Sequence, residues 1–171
     1  MVLRQQTAFP YAETSNIEVT KGKGVFTLKI RKPLWCDNFT VKGVGFIVDS
    51  YEENGFVCIK RKWKKGDKVE ISMPMHAYIK PMINVPQYVA IMYGPILLGM
   101  KSGTEDMRSL IADDSRFGQY ADGMKLPLDK APILLPKHLN DIAKDLKPIP
   151  DKPLHFKLAT HMENVINGEL Q

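Results

Sequence analysis

Few groups in this sequence are able to do chemistry, and their spacing commits them to little. His76, His138, His155 and His161 are the obvious metal ligands. A zinc site usually takes ligands in closely spaced pairs. No His-x-x-x-His pair occurs, and no histidine joins a pair of cysteines. They therefore read as packing or surface histidines. No Gly-x-Ser-x-Gly elbow presents a nucleophilic serine. No Gly-x-Gly-x-x-Gly follows a strand, and no phosphate loop is present. Lys21-Gly-Lys-Gly24 is turn chemistry instead. Carboxylates suited to acid–base work are Glu105, Asp106, Asp113 and Asp114. The densest polar cluster, Asp113-Asp-Ser-Arg116, has the groups to meet sugar hydroxyls, calcium or a partner surface. Calcium takes about six or more oxygens, and this spacing resembles no calcium loop. Asp113, Asp114 and Arg116, with the nearby rings of Phe117 and Tyr120, are therefore nominated as a domain-contact surface. No catalytic, cofactor-binding or metal-binding residue is nominated.

The aromatic residues raise two further chemistries. Lys60, Arg61, Lys62, Lys64, Lys65 and Lys68 surround Trp63, the composition of a nucleic-acid patch with a stacking ring. Strand alternation, however, sends Trp63 to the same side as Val57 and Ile59 and leaves the lysines as the wet face, where they also discourage edge pairing. The reading is therefore core packing, with no nucleic acid as partner. Trp35, at a strand end after Pro33-Leu34, and Tyr78 are candidate sugar-stacking rings. A row of exposed rings drawn from Trp35, Tyr51, Tyr78 and Tyr120 would mark a carbohydrate-binding module.

These residues must be placed by strands. From Gly55 to Met75 the parity is strict: Val57, Ile59 and Trp63 share one face, and Val69, Ile71, Met73 and Met75 share another. With Lys65-Gly66-Asp67 between them, the two runs read as a long antiparallel hairpin. Further strands are expected over 2–8, 17–20, 25–31, 39–42, 46–48, 78–83, 88–93 and 96–100. Glu52-Glu53-Asn54-Gly55 reads as a turn. About eight or nine short strands with turns every ~8–12 residues predict an all-β, antiparallel two-sheet sandwich, jelly-roll-like. No strong amphipathic helix is available to cover either sheet. Residues 101–131 form a long polar loop. The segment 132–153 is Pro-rich and reads as extended, linker-like backbone, with a short helix over 138–146 and a strand over 154–158. A single domain is expected over 1–160, with 161–171 as the truncated tail of a further element.

With 171 residues, 44% hydrophobic and 25% charged, the chain has an ordinary globular composition. Its net charge of +5 is spread along the sequence except around Lys60 to Lys68. Cys36 and Cys58 lie in or beside apolar strand patterns and read as buried free thiols. No apolar run reaches the ~18 residues of a membrane span, so no membrane partner is expected. No secretory signal is visible behind Met1.

Several runs taken together resemble one family. They are Gln6-Thr-Ala-Phe-Pro-Tyr11, Leu28-Lys-Ile-Arg-Lys-Pro-Leu-Trp35, Asn54-Gly-Phe-Val-Cys-Ile-Lys-Arg-Lys-Trp63, Met73-Pro-Met75 and Val89-Ala-Ile-Met-Tyr-Gly-Pro95. In order and spacing they resemble the β-sandwich region that follows the helical barrel in the β-L-arabinofuranosidase glycoside hydrolases, family 127 and relatives such as family 146. Gly103-Thr-Glu-Asp106 and Ala112-Asp-Asp-Ser-Arg116 resemble the form common in gut Bacteroidetes. The resemblance implies a non-catalytic module of a retaining glycosidase that braces an upstream catalytic barrel. In that family the nucleophilic cysteine, the acid/base glutamate and the zinc site lie in the barrel, so Cys36 and Cys58 inherit no role and no cofactor is expected in this chain. It further implies arabinose-containing plant glycans as ligands and a periplasmic or extracellular location for the parent protein. An apolar patch around Ile79, Met82, Ile83, Val85 and Tyr88 is expected where the barrel would pack, and with it a weak homodimer of the isolated chain. The alternative is an autonomous carbohydrate-binding module.

Overall fold

The computed structural model describes residues 1–100, 131–165 and 168–171. The chain divides into two compact units, Met1–Tyr78 with Met92–Ile96, and Ile79–Ile91 with Leu97–Gln171. This differs from the single domain expected over 1–160. Both junctions fall near the Pro81 and Gly94-Pro95 breaks, where the chain leaves regular pairing.

The first unit is an antiparallel two-sheet sandwich. β1 (Val2–Thr7), β2 (Thr14–Lys21), β4 (Thr40–Gly43) and β7 (Lys68–Ser72) form one sheet in the order β1-β2-β7-β4. β3 (Lys23–Arg31), β5 (Tyr51–Glu53) and β6 (Phe56–Lys64) form the other, in the order β3-β6-β5. The alternation read from sequence sets the inner faces. Val19, Val69 and Ile71 from one sheet meet Ile30, Ile59 and Trp63 from the other in a single core. Trp63 is fully buried and its indole N–H donates to the Phe26 carbonyl at 3.1 Å. A buried N–H needs such a partner. Phe26 stacks on the indole, and Phe46 meets it edge-on.

One expectation fails here. β6 and β7 are not a hairpin: β6 pairs with β3 and β5, whereas β7 pairs with β2 and β4. The turn at Lys65-Gly66-Asp67 carries the chain from one sheet to the other. Two strands with one apolar face each satisfy that face equally by lying edge to edge or by facing one another, so parity alone does not choose. The corner is fixed by Asp67, which is only 7% exposed. Its carboxylate accepts from the Lys64 backbone N–H at 3.0 Å and lies 3.5 Å from the Arg61 guanidinium. Its carbonyl accepts from the Val19 N–H at 2.9 Å, and Gly66, at φ +89°, donates to the Val19 carbonyl.

Other differences are local. The 46–48 segment is not a strand, and the stretch read as a turn before Gly55 begins with the edge strand β5. The turn itself is Asn54-Gly55, both at positive φ, as a two-residue hairpin connection requires.

Trp63, at the centre of the basic cluster, lies inside the core. Lys60, Lys62 and Lys64 point to solvent, and Arg61 stacks over Phe46 at 3.6 Å. Both cysteines are buried and free. Cys58, on the outer face of β6, pairs in register with Lys29 and Tyr51, and the Lys29–Glu53 ion pair at 2.6 Å crosses above the strand.

The second unit has small sheets of its own. β8 (Ala77–Pro81), β9 (Val89–Tyr93) and β10 (Ile96–Leu97) run in the order β10-β9-β8, with the unit boundary passing through these strands. β11 (Ile133–Leu134) pairs with β14 (Met162–Glu163). β12 (Leu146–Pro148), β13 (Phe156–Leu158) and β15 (Glu169–Leu170) form a third sheet, with β13 central. The helix α1 (Asp141–Asp145) buries Ile142. Leu146, Phe156, Leu158 and Leu170 are buried as well. The Pro-rich segment 132–153 is therefore not a linker but supplies β11, α1 and β12. Residues 161–171, expected as the truncated tail of a further element, supply β14 and β15, and Gly99 and Gln171 exchange backbone hydrogen bonds of 2.8 and 3.0 Å. Two-residue strands paired far along the chain carry no periodicity to read.

Candidate functional site

The nominated domain-contact residues Asp113, Asp114, Arg116, Phe117 and Tyr120 lie outside the described residues. The two nominated sugar-stacking residues do not, and the first unit brings their segments together. Trp35 lies in the turn that follows β3, half-buried, with its ring stacked on Phe9 at 6.1 Å and 20°. Tyr78 lies on β8, half-buried, 5.7 Å from the His76 ring. Between them, His76 Nε2 lies 3.8 Å from Asp37 Oδ2.

Three tethers hold this arrangement. The Cys36 thiol donates to the Pro74 carbonyl at 3.6 Å. The Met75 N–H donates to the Glu13 carboxylate at 2.9 Å, and the Met73 N–H to the Glu13 carbonyl at 2.7 Å. Gly94 donates to the His76 carbonyl at 3.0 Å. Gly94 sits at φ +55° with its Cα against Met75, where a Cβ would lie 2.6 Å from Met75 Cγ. A glycine is required there on both counts. Burial pushes the Cys36 thiol upward from its ordinary value. Burial also raises the Tyr93 phenol, with the Glu13 charge acting in the same direction. Cys36 serves here as a hydrogen-bond donor that ties its segment to Pro74.

Sequence reasoning nominated Trp35 and Tyr78 but missed Asp37, His76, Glu13 and Phe9. They come from three separate segments, the β1–β2 connection with Phe9 and Glu13 and the stretches around Asp37 and His76, and no spacing connects the three. Tyr51 is exposed on the outer face of the other sheet, so it joins no row with Trp35. Among the described residues no group of three His, Cys, Asp or Glu side chains is placed to hold a metal ion. No helix among them is long and apolar enough to cross a membrane.

A second surface stands out in the other unit. The loop 82–88 between β8 and β9 is closed by the Met82 N–H donating to the Tyr88 carbonyl at 2.9 Å and the Tyr88 N–H donating to the Val85 carbonyl at 2.8 Å. Its side chains point outward: Ile83 is 96% exposed and Met82 56%, with Val85 and Tyr88 also exposed. Pro81, Met82, Ile83, Val85 and Ala90 line an apolar hollow.

Residues 1–75 match the family model of the GH127 middle domain of beta-L-arabinofuranosidase. Residues 78–171, more than half of the chain, match DUF4986, a domain of unknown function. The chain belongs to the DUF4986 family, and its first part is a GH127-family β-sandwich. The two matches meet where the structure divides. Several solved structures are similar to parts of the chain. The GH127 β-arabinofuranosidase BT3674 is 32% identical over 56% of this chain and 18% of its own, with a TM-score of 0.49. Ara127N, a GH127 β-L-arabinofuranosidase of Geobacillus stearothermophilus T6, is 30% identical over 56% of this chain and 16% of its own, with a TM-score of 0.50. A glycoside hydrolase structure covers 98% of this chain and 29% of its own at 22% identity, with a TM-score of 0.56, a likeness of fold. The chain thus spans less than a third of each of these structures. No curated protein matches it.

Proposed function

We propose that this GH127 middle domain and its DUF4986 partner are the non-catalytic part of a larger glycoside hydrolase acting on arabinose-containing glycans outside the cytoplasm. Their task is to brace a helical-barrel catalytic domain. The observation that carries this reading is the 82–88 loop. Apolar side chains held outward on a hydrogen-bonded loop are costly in water and mark an interaction surface. The loop lies within the DUF4986 match, so the bracing contact is proposed for that domain. The test is hydrolysis of an aryl β-L-arabinofuranoside by the isolated chain, together with co-purification of the catalytic region of the same protein. The reading expects no turnover and a stable complex; turnover by the chain alone, or no complex, overturns it. A second reading, an autonomous carbohydrate-binding module, is favoured by the aromatic and polar groups gathered around Trp35.

A further inference from the structure

We propose that the Trp35 corner of the first unit is a binding site for one neutral sugar unit of a glycan, with Trp35 as the stacking ring and Asp37 as the hydroxyl acceptor. The site rests on the carbohydrate-binding reading and is independent of bracing.

Binding a sugar takes a flat apolar face for the ring's C–H groups and a few fixed polar groups for its hydroxyls. Trp35 supplies the face. Phe9, stacked on it at 6.1 Å, sets the plane of the indole before any ligand arrives. The indole is half-buried, which leaves part of it to solvent. Asp37, two residues on, is 78% exposed, and the His76 ring lies 3.8 Å from its carboxylate. That separation is too long for a hydrogen bond, so the carboxylate keeps lone pairs for two hydroxyl donors. His76, 47% exposed, adds a second polar edge, and Tyr78 lies beside it.

The backbone carrying these groups is fixed. Cys36 is tied to Pro74, Met75 to Glu13 and His76 to Gly94. A preorganised site of this kind loses little freedom on binding. The charge decides the ligand class. Asp37 is exposed at the contact point, and Glu13 lies behind Met75. Phosphate groups and uronic acids would meet like charge, whereas a neutral polyhydroxylated ring offers the donors that a carboxylate accepts.

The test uses the 171-residue chain, arabinotriose as neutral probe and trigalacturonate as charged control. The chain has two tryptophans, and Trp63 is sealed in the core, so a saturable change in tryptophan emission reports Trp35. The expected result is saturation with a Kd of about 1 mM for arabinotriose and none for trigalacturonate. By calorimetry, Trp35→Ala abolishes binding. Asp37→Asn weakens it about tenfold, the size expected for charge-assisted hydrogen bonds. Asp37→Asn alters a side chain standing in solvent, so it stays informative if Trp35→Ala disturbs the fold. The proposal is overturned by absence of saturation at about 20 mM, well above that Kd. It is equally overturned by unchanged affinity in Asp37→Asn, or by tighter binding of trigalacturonate.

Discussion

Replacing Ile83 by Asp separates docking from folding. Ile83 lies in the 82–88 loop, 96% exposed, so the isolated variant should keep its stability to within about 0.5 kcal/mol, as surface substitutions do. A docked partner changes that sum. Burying an isoleucine contributes about 1.5–3 kcal/mol, and forcing a carboxylate into the same apolar contact adds a desolvation cost. A loss of about 2 kcal/mol or more is a weakening of about 30-fold or more. In the absence of the barrel, the available partner is a second copy of the chain. Sedimentation equilibrium should therefore show concentration-dependent dimers of the natural chain and a monomeric Ile83→Asp variant at the same loading. Thermal melts of the two should coincide. The reasoning fails if the variant associates as the natural chain does, or if the natural chain is monomeric at every concentration.

Three further outcomes follow from the first unit. Asp67→Ala orphans the Lys64 N–H and strips Arg61 of its 3.5 Å partner. It should cost about 2 kcal/mol in urea unfolding followed through Trp63, with Asp67→Asn costing less because an amide oxygen still accepts; equal costs for the two would contradict this role. Glu53→Ala removes the ion pair that crosses over Cys58. Stability should change by no more than about 1 kcal/mol, while the Cys58 thiol becomes faster to react with a disulfide reagent; an unchanged rate means that Tyr51 alone shields it. The third outcome concerns alkaline pH. The raised Cys36 and Tyr93 groups keep their protons in the folded state where the unfolded chain, with ordinary values of 9.0 and 10.0, has lost them. The folded state then holds more protons, so stability falls as pH rises above about 9. Lys29, raised by its hydrogen bond to Glu53, acts in the same direction. A flat or rising profile between about pH 9 and about pH 11 would refute this assignment.

The faces of the sandwich were legible because burial on one side of a strand writes itself as alternation. Val57, Ile59, Trp63, Val69 and Ile71 are buried as their parity predicts, and the two cysteines are buried and free. Pairing was not legible. The same alternation serves a hairpin and a sheet crossing, and what chooses between them here is Asp67 bonding to β2 as well as to its own turn. The second unit was illegible for another reason. Beyond β8 and β9, which alternation did mark, its strands are two or three residues long, β12 ends on Pro148, and its buried residues are scattered between prolines. Of the Trp35 corner, the rings of Trp35 and Tyr78 were visible as aromatics at strand ends. Asp37 and His76 meet only through folding, and neither stands in a motif. The apolar patch of the 82–88 loop was visible because Met82, Ile83 and Val85 lie around the Pro81 and Pro86 breaks, although the strand expected over 78–83 ends at Pro81.

The most direct test of the bracing role is the melting temperature of the catalytic region of the same protein, measured alone and with this chain added in excess. A partner that binds only the folded form raises stability by about 2.7 kcal/mol at 100 times its Kd. The account predicts a melting temperature that rises with the concentration of the natural chain and rises much less with Ile83→Asp. A melting temperature that stays constant across the whole range of added chain would contradict it.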